Sequence, residues 1–113
     1  MSRQKDKGTR WESWCERELA PFGAVRSVLH GRLDQGDLHG LRIGPLSVIC
    51  ECKNHAEYRF AEYVAEADAE AVNAGADIGV ALVKRRGKGS QSMGDHFVVM
   101  DLASFERILE ATS

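Results

Sequence analysis

The sequence is short of the features that would place it in a membrane or a secretory pathway. No apolar run exceeds about five residues, the longest lying around Val80 to Val83 and Val48 to Cys50; a membrane helix needs ~20. The opening MSRQKDKGTR has no apolar core of a secretory signal. Three cysteines are an odd number without CxxC spacing, which predicts neither a disulfide framework nor a thiolate zinc site. His30, His39, His55 and His96 lack metal-ligand spacing such as HExxH, and Lys88-Gly89-Ser90 lacks the preceding GxxxxGK pattern of a phosphate-binding loop. Internal repeats and low-complexity tracts are absent. What is there is ordinary: 113 residues, 43% apolar and 28% charged, the composition of one globular domain over residues 1–113. The expectation is a soluble, cytoplasmic protein with no membrane partner.

Charge is partitioned more strongly than the net value of −2 suggests. Residues 3–10 carry Arg3, Lys5, Lys7 and Arg10 against Asp6, a local +3. Residues 84–88 carry Lys84, Arg85, Arg86 and Lys88, a local +4, which leaves −9 for the rest of the chain. Two basic segments on an acidic body either place cations locally on a polyanion or serve only as solubilising segments. Residues 1–8 read as a flexible basic arm.

Periodicity predicts a helix over residues 9–20. Thr9 and Glu12 fit a capping box, Trp11, Trp14, Cys15 and Leu19 share one face, and Pro21 ends the run. Three strands are expected at residues 24–29, 36–42 and 47–53, separated by glycine-containing breaks. Residues 57–75 read as the best helix, with Phe60, Tyr63, Val64, Ala67, Ala71 and Ala74 in an apolar stripe and Glu62, Glu66 and Glu70 on a solvated side. Residues 78–83 form a continuous apolar strand of the kind buried inside a sheet. A loop at 87–94, a strand at 96–100 and a helix near 102–111, with Phe105, Ile108 and Leu109 facing inward, complete the chain. The order α-β-β-β-α-β-β-α implies an α/β fold with a mixed central sheet flanked by helices.

Chemistry concentrates in Val48-Ile49-Cys50-Glu51-Cys52-Lys53-Asn54. Alternation puts Glu51 and Lys53 on one strand face and Cys50 and Cys52 on the other. A carboxylate and an ammonium at the end of an apolar strand are costly unless paired or bound to a metal, so either a structural ion pair or a catalytic pair is implied. Asp37 opens the preceding strand, where hairpin pairing would bring it to the same sheet edge as Glu51. Two carboxylates, a carbonyl (that of Cys52) and waters make a normal oxygen shell for Mg²⁺. Glu12 is the third acidic element, with its capping role as the competing explanation.

The run from Lys7-Gly8 through Glu12, then Ala24-Val25-Arg26-Ser27, a glycine-containing loop, Asp37-Leu38 and Glu51-x-Lys53 resembles the archaeal-type Holliday junction resolvases of the PD-(D/E)XK nuclease superfamily. It is still more similar to small resolvase-like nucleases of actinobacteria and their phages, over residues 8–109. The resemblance implies an αβββαβ restriction-endonuclease-like core and a structure-selective DNA endonuclease that resolves four-way junctions. It makes Asp37 and Glu51 metal ligands, with Glu12 completing the acidic cluster and Lys53 orienting or activating the attacking water. The implied cofactor is Mg²⁺, with Mn²⁺ substituting, and the implied assembly is a homodimer on branched DNA. Arg3, Lys5, Lys7, Arg10, Arg32, His55, Lys84, Arg85, Arg86 and Lys88 are the expected DNA contacts. Two positions depart from the family pattern. The loop before Asp37 lacks the family's serine, and the second helix carries Glu66 and Glu70 where a glutamine is common. A flap, nicking or general nuclease of the same fold, or a DNA-binding module that does not cut, are the alternative readings.

Overall fold

The segment Ile78–Val83 carries no polar side chain and is buried at all six residues. A strand of this kind requires cover on both faces. The computed structural model describes residues 3–27 and 35–113, with side chains from Gly8 onward. Its elements are α1 (Arg3–Leu19), a 3-10 turn (Ala20–Phe22), β1 (Val25–Arg26), β2 (Leu38–Ile43), β3 (Leu46–Lys53), α2 (Phe60–Ala74), β4 (Ile78–Val83), a 3-10 segment (Ser90–Asp95), β5 (Phe97–Val99) and α3 (Leu102–Thr112). The five strands form one mixed sheet in the order β1-β2-β3-β4-β5. The first three make an antiparallel meander, β4 joins β3 in parallel across α2, and β5 is antiparallel to β4. This is the mixed, helix-flanked α/β sheet expected from the element order. No described helix is long and apolar enough to cross a membrane.

The alternation of β3 sorts its side chains as the sequence implied. Val48 and Cys50 enter a core with Trp11 and Cys15 of α1 and with Ile78, Val80 and Leu82 of β4, and Cys52 packs against it. Trp11 is 2% exposed and donates its indole Nε1–H to the Leu82 carbonyl at 3.0 Å. That satisfied donor makes it a core anchor for α1. Tyr63 of α2 forms a second core with Ala81 and Val83. Here α2 lies so close to β4 that a Cβ on Gly79 would come within 2.1 Å of the Ala67 carbonyl oxygen. The missing side chain at Gly79 therefore sets the height of α2 above the sheet.

Four details differ from the sequence reading. Helix α1 begins at Arg3 rather than at Thr9, so its backbone runs through most of the expected arm. Thr9 is consequently inside the helix and is no cap: its carbonyl accepts from Ser13 Oγ and from Arg26. Strand β1 is only two residues long among the described residues. In α3, Ile108 packs on the core, but Phe105 and Leu109 are 47% and 53% exposed rather than inward-facing.

Candidate active site

Asp37 sits just before β2 and is held by backbone geometry at both ends. Its N–H donates to the Cys50 carbonyl at 2.8 Å, and its own carbonyl accepts from the Ser27 N–H at 2.9 Å. Its side-chain Oδ2 accepts from the Cys52 N–H at 2.7 Å. An extra residue in β2 follows at once: Leu38 pairs with Cys50, but Leu41 pairs with Val48. Gly40, at φ +93°, absorbs this bulge, and a Cβ there would meet the Gly23 carbonyl oxygen at 2.4 Å. Bulges bend the strand locally and re-aim neighbouring side chains, and this one lies beside Asp37.

Glu12 reaches Asp37 from α1. Burial, a hydrogen bond with the Asp37 carboxyl and the Asp37 charge together raise its pKa to about 7, against a weaker opposing pull from Arg26. Loss of the capping role frees Glu12 for this contact. On β3, Glu51 is 8% exposed. Burial, the adjoining Glu70 carboxyl and the Asp37 charge push its pKa to about 11, and Lys53 only partly offsets them. Lys53 Nζ lies 3.7 Å from Glu51 Oε1 but is closer to Glu66, with which it makes a hydrogen-bonded ion pair. Burial works against the Lys53 ammonium. The bond to Glu66 and the charges of Glu51, Glu66 and Glu70 outweigh it, so the pKa of Lys53 rises and the group stays protonated.

The expected quartet of Glu12, Asp37, Glu51 and Lys53 is thus gathered at one end of the sheet. Two further acids join it. Glu70 is 6% exposed, and oxygens of Glu51, Glu66 and Glu70 lie within 4.8 Å of one another. This corrects the assignment of Glu70 to a solvated side of α2; Glu66 is exposed as expected, but its carboxylate also turns to the site. The signal was available: Glu70 is seven residues after Tyr63, which at about 100° per residue returns it to within ~20° of the buried stripe. Glu51 Oε2 is buried with no hydrogen-bond donor. A buried carboxyl oxygen without a donor, beside two further carboxyl groups, could hold a metal ion. Glu51 is common to this cluster and to the Asp37–Glu12 pair.

The basic residues expected to meet DNA are spread over several elements. Arg10 is exposed on α1. The loop after β4 leaves directly beside the site, since the Lys84 N–H donates to the Lys53 carbonyl at 3.0 Å. Within that loop Lys84 Nζ donates to the Arg85 carbonyl at 3.4 Å and Lys88 pairs with Asp95 at 3.3 Å. Arg85 and Arg86 lie over the rings of Phe97 and Tyr58 instead of standing free. His55 stacks on Tyr63 with ring centres 5.5 Å apart. Arg32 lies outside the described residues, as do the side chains of Arg3, Lys5 and Lys7. The chain matches no protein-family model, no curated protein and no solved structure, so the reading of this site rests on its own residues.

Proposed function

We propose that the protein is a metal-dependent, structure-selective DNA endonuclease with a restriction-endonuclease-like αβββαβ core, using Mg²⁺ and acting on branched DNA, four-way junctions first. One observation carries the reading. Carboxyl groups from α1, the start of β2, β3 and α2 gather at the end of the sheet, and the one ammonium close to Glu51 among the described residues, Lys53, faces Glu66 more closely than Glu51. Crowding of this kind holds Glu51 protonated and raises Glu12 at a cost to folding, and it supplies a place for a divalent cation to take over from those protons. The ligands would be Glu51 with Glu66 and Glu70, and Asp37 across the β2–β3 pairing.

A bound divalent cation supplies Lewis-acid polarisation of a phosphoryl oxygen and a water ionised at neutral pH. The remaining roles belong to the chain. Lys53, protonated and half-buried, puts a fixed positive charge where a phosphate oxygen would approach and helps orient the attacking water. Glu12, titrating at about 7, can hold or release a proton in the range where the reaction would run. The loop at Lys84–Lys88 emerges next to Lys53 and brings cations to the same strand.

Two cuts across a four-way junction require two sites in fixed relation, and the reading includes a homodimer. Leu102, Phe105 and Leu109 recur at i, i+3 and i+7 on α3 and are all exposed, which gives an apolar stripe suited to a second copy. Light scattering at micromolar concentration should give twice the chain mass. A monomer that nicks junctions on one strand would support the simpler flap or nicking nuclease.

Labelled four-way junction, flap and linear duplex, each incubated with Mg²⁺ or with EDTA, test the activity. Cleavage of branched substrates in Mg²⁺ alone is expected. Asp37→Asn keeps an acceptor for the Cys52 N–H but removes a charge, so it should cut at least 100-fold more slowly while remaining folded. Mg²⁺-independent cutting, full activity of Asp37→Asn, or binding without cutting of any substrate would overturn the assignment, the last leaving a DNA-binding module.

A further inference from the structure

A chain of rings and cations leads away from Lys53 along the start of α2. Lys53 Nζ is 5.6 Å from the centre of the Tyr63 ring, which meets Phe60 edge-on at 6.3 Å. Phe60 stacks on Tyr58 at 5.3 Å with ring planes 15° apart. The Arg86 guanidinium lies 4.7 Å above Tyr58, and the Arg86 N–H donates to the Tyr58 hydroxyl at 2.8 Å. A hydrophobic core does not account for the outer members: Phe60 is 40% exposed, and Arg85 and Arg86 are exposed. Nor does surface charge pairing. Their neighbours Arg59 and Lys88 pair with Glu57, Glu62 and Asp95, whereas neither Arg85 nor Arg86 meets a carboxylate among the described residues.

Pre-ordered flat surfaces with uncompensated positive charge between them suit one chemistry in particular. A single nucleic-acid strand offers flat bases to the rings and guanidinium planes, and phosphates to the charges. In a continuous duplex the base faces are already stacked on one another. We propose that Phe60 and Arg86, the exposed members of this array and ordered by their contacts with the half-buried Tyr58, form a stacking platform for unpaired nucleobases, which selects DNA with unpaired nucleotides beside the phosphate to be cut. The proposal deepens the nuclease reading and rests on it for the direction of the strand. The stacking itself requires neither metal nor cleavage.

The test is fluorescence-polarisation binding in EDTA of a labelled oligothymidylate, of an abasic sugar–phosphate oligomer of the same length, and of a blunt duplex. The oligothymidylate should bind at least ten-fold more tightly than the abasic oligomer. Phe60→Ala should lose about ten-fold on the oligothymidylate, in the range found for one stacked base, and nothing on the abasic oligomer. Phe60→Trp should retain binding, which separates stacking from a folding defect, and Arg86→Lys should lose affinity although it keeps the charge. Equal affinity for base-bearing and abasic strands, or a Phe60→Ala variant that melts normally and binds as wild type does, would overturn the platform. Mg²⁺-dependent cleavage measured on the same samples keeps the two readings apart. Cutting without base-dependent binding removes the platform alone. Base-dependent binding without cutting of any substrate removes the nuclease and leaves the platform standing.

Discussion

Replacing Glu51 by glutamine should stabilise the metal-free protein while abolishing its proposed chemistry. In the fold this carboxyl has a pKa of about 11, against an ordinary value of 4.5. At pH 7 it therefore keeps its proton when folded and loses it when unfolded. The penalty to folding depends on the gap between pH 7 and the unfolded value, 2.5 units, and not on how far above 7 the folded value lies. At ~1.4 kcal/mol per unit this is about 3 kcal/mol. Because the folded pKa is the higher one, the group's contribution is fully present below about pH 4.5 and is lost progressively as pH rises. Glu12, raised to about 7, acts in the same direction but only up to that pH. Glutamine does not titrate, and its amide can donate to the Glu70 carboxylate without first taking up a proton, as the Glu51 carboxyl must. Melting or urea curves in EDTA from pH 4.5 to 8 should show wild-type stability falling with pH more steeply than that of Glu51→Gln. The two should converge near pH 4.5 and differ by on the order of 10 °C at pH 7. Millimolar Mg²⁺ should raise the wild type and leave the variant nearly unchanged, since only a cation bound to the folded state stabilises it. Parallel pH profiles, or a variant that melts below wild type at pH 7, would refute the reasoning.

Gly79→Ala would drive its methyl against the Ala67 carbonyl and lift α2 from β4. A loss of about 1–3 kcal/mol in urea unfolding is expected, together with weaker metal binding because Glu66 and Glu70 ride on the same helix. Burial pushes the Cys50 thiol up to about 12, and contact with Cys15 together with burial pushes that of Cys52 higher still. Neither should react with a thiol reagent at pH 8 in the native state, and both should do so in urea. Arg85→Ala with Arg86→Ala should weaken DNA binding and reduce the salt slope of log K by about one for each phosphate contact removed, with unchanged metal affinity. An unchanged slope would mean that neither guanidinium group contacts a phosphate.

The strands were legible because their physics is local. The six apolar residues of Ile78–Val83 admit few alternatives to a covered strand, and alternation in residues 46–53 decided which side chains face α1 and which face α2. The start of α1 was not legible in the same way. Thr9 and Glu12 satisfy a capping pattern, yet the helix continues back to Arg3, and a capping pattern inside a helix is silent because its donors are already bonded. Phe105 and Leu109 misled for another reason. Their spacing states that α3 has an apolar face, but not that this face must meet the chain's own sheet. A stripe left outside is equally consistent with the pattern, and the proposed second copy is one way to cover it.

The site was half legible, and the division follows from what each residue's neighbours do. Glu51 and Lys53 stood out because an apolar strand surrounds them, which makes their charge expensive and therefore informative. Glu66 and Glu70 were hidden because a helix with polar residues on one side gives acids an ordinary place to be. Geometry reversed this. The close approach at Gly79 brings α2 down onto β4, and Glu70 is then buried with its carboxyl beside that of Glu51. Once that is so, Lys53 cannot neutralise Glu51 alone, because Glu66 takes the nearer contact. A pair that looked self-contained in the sequence becomes one ammonium among several carboxylates. That crowding of carboxyl groups is what turns a structural ion pair into a candidate cation site, and it depends on two acids whose importance only the packing of α2 reveals.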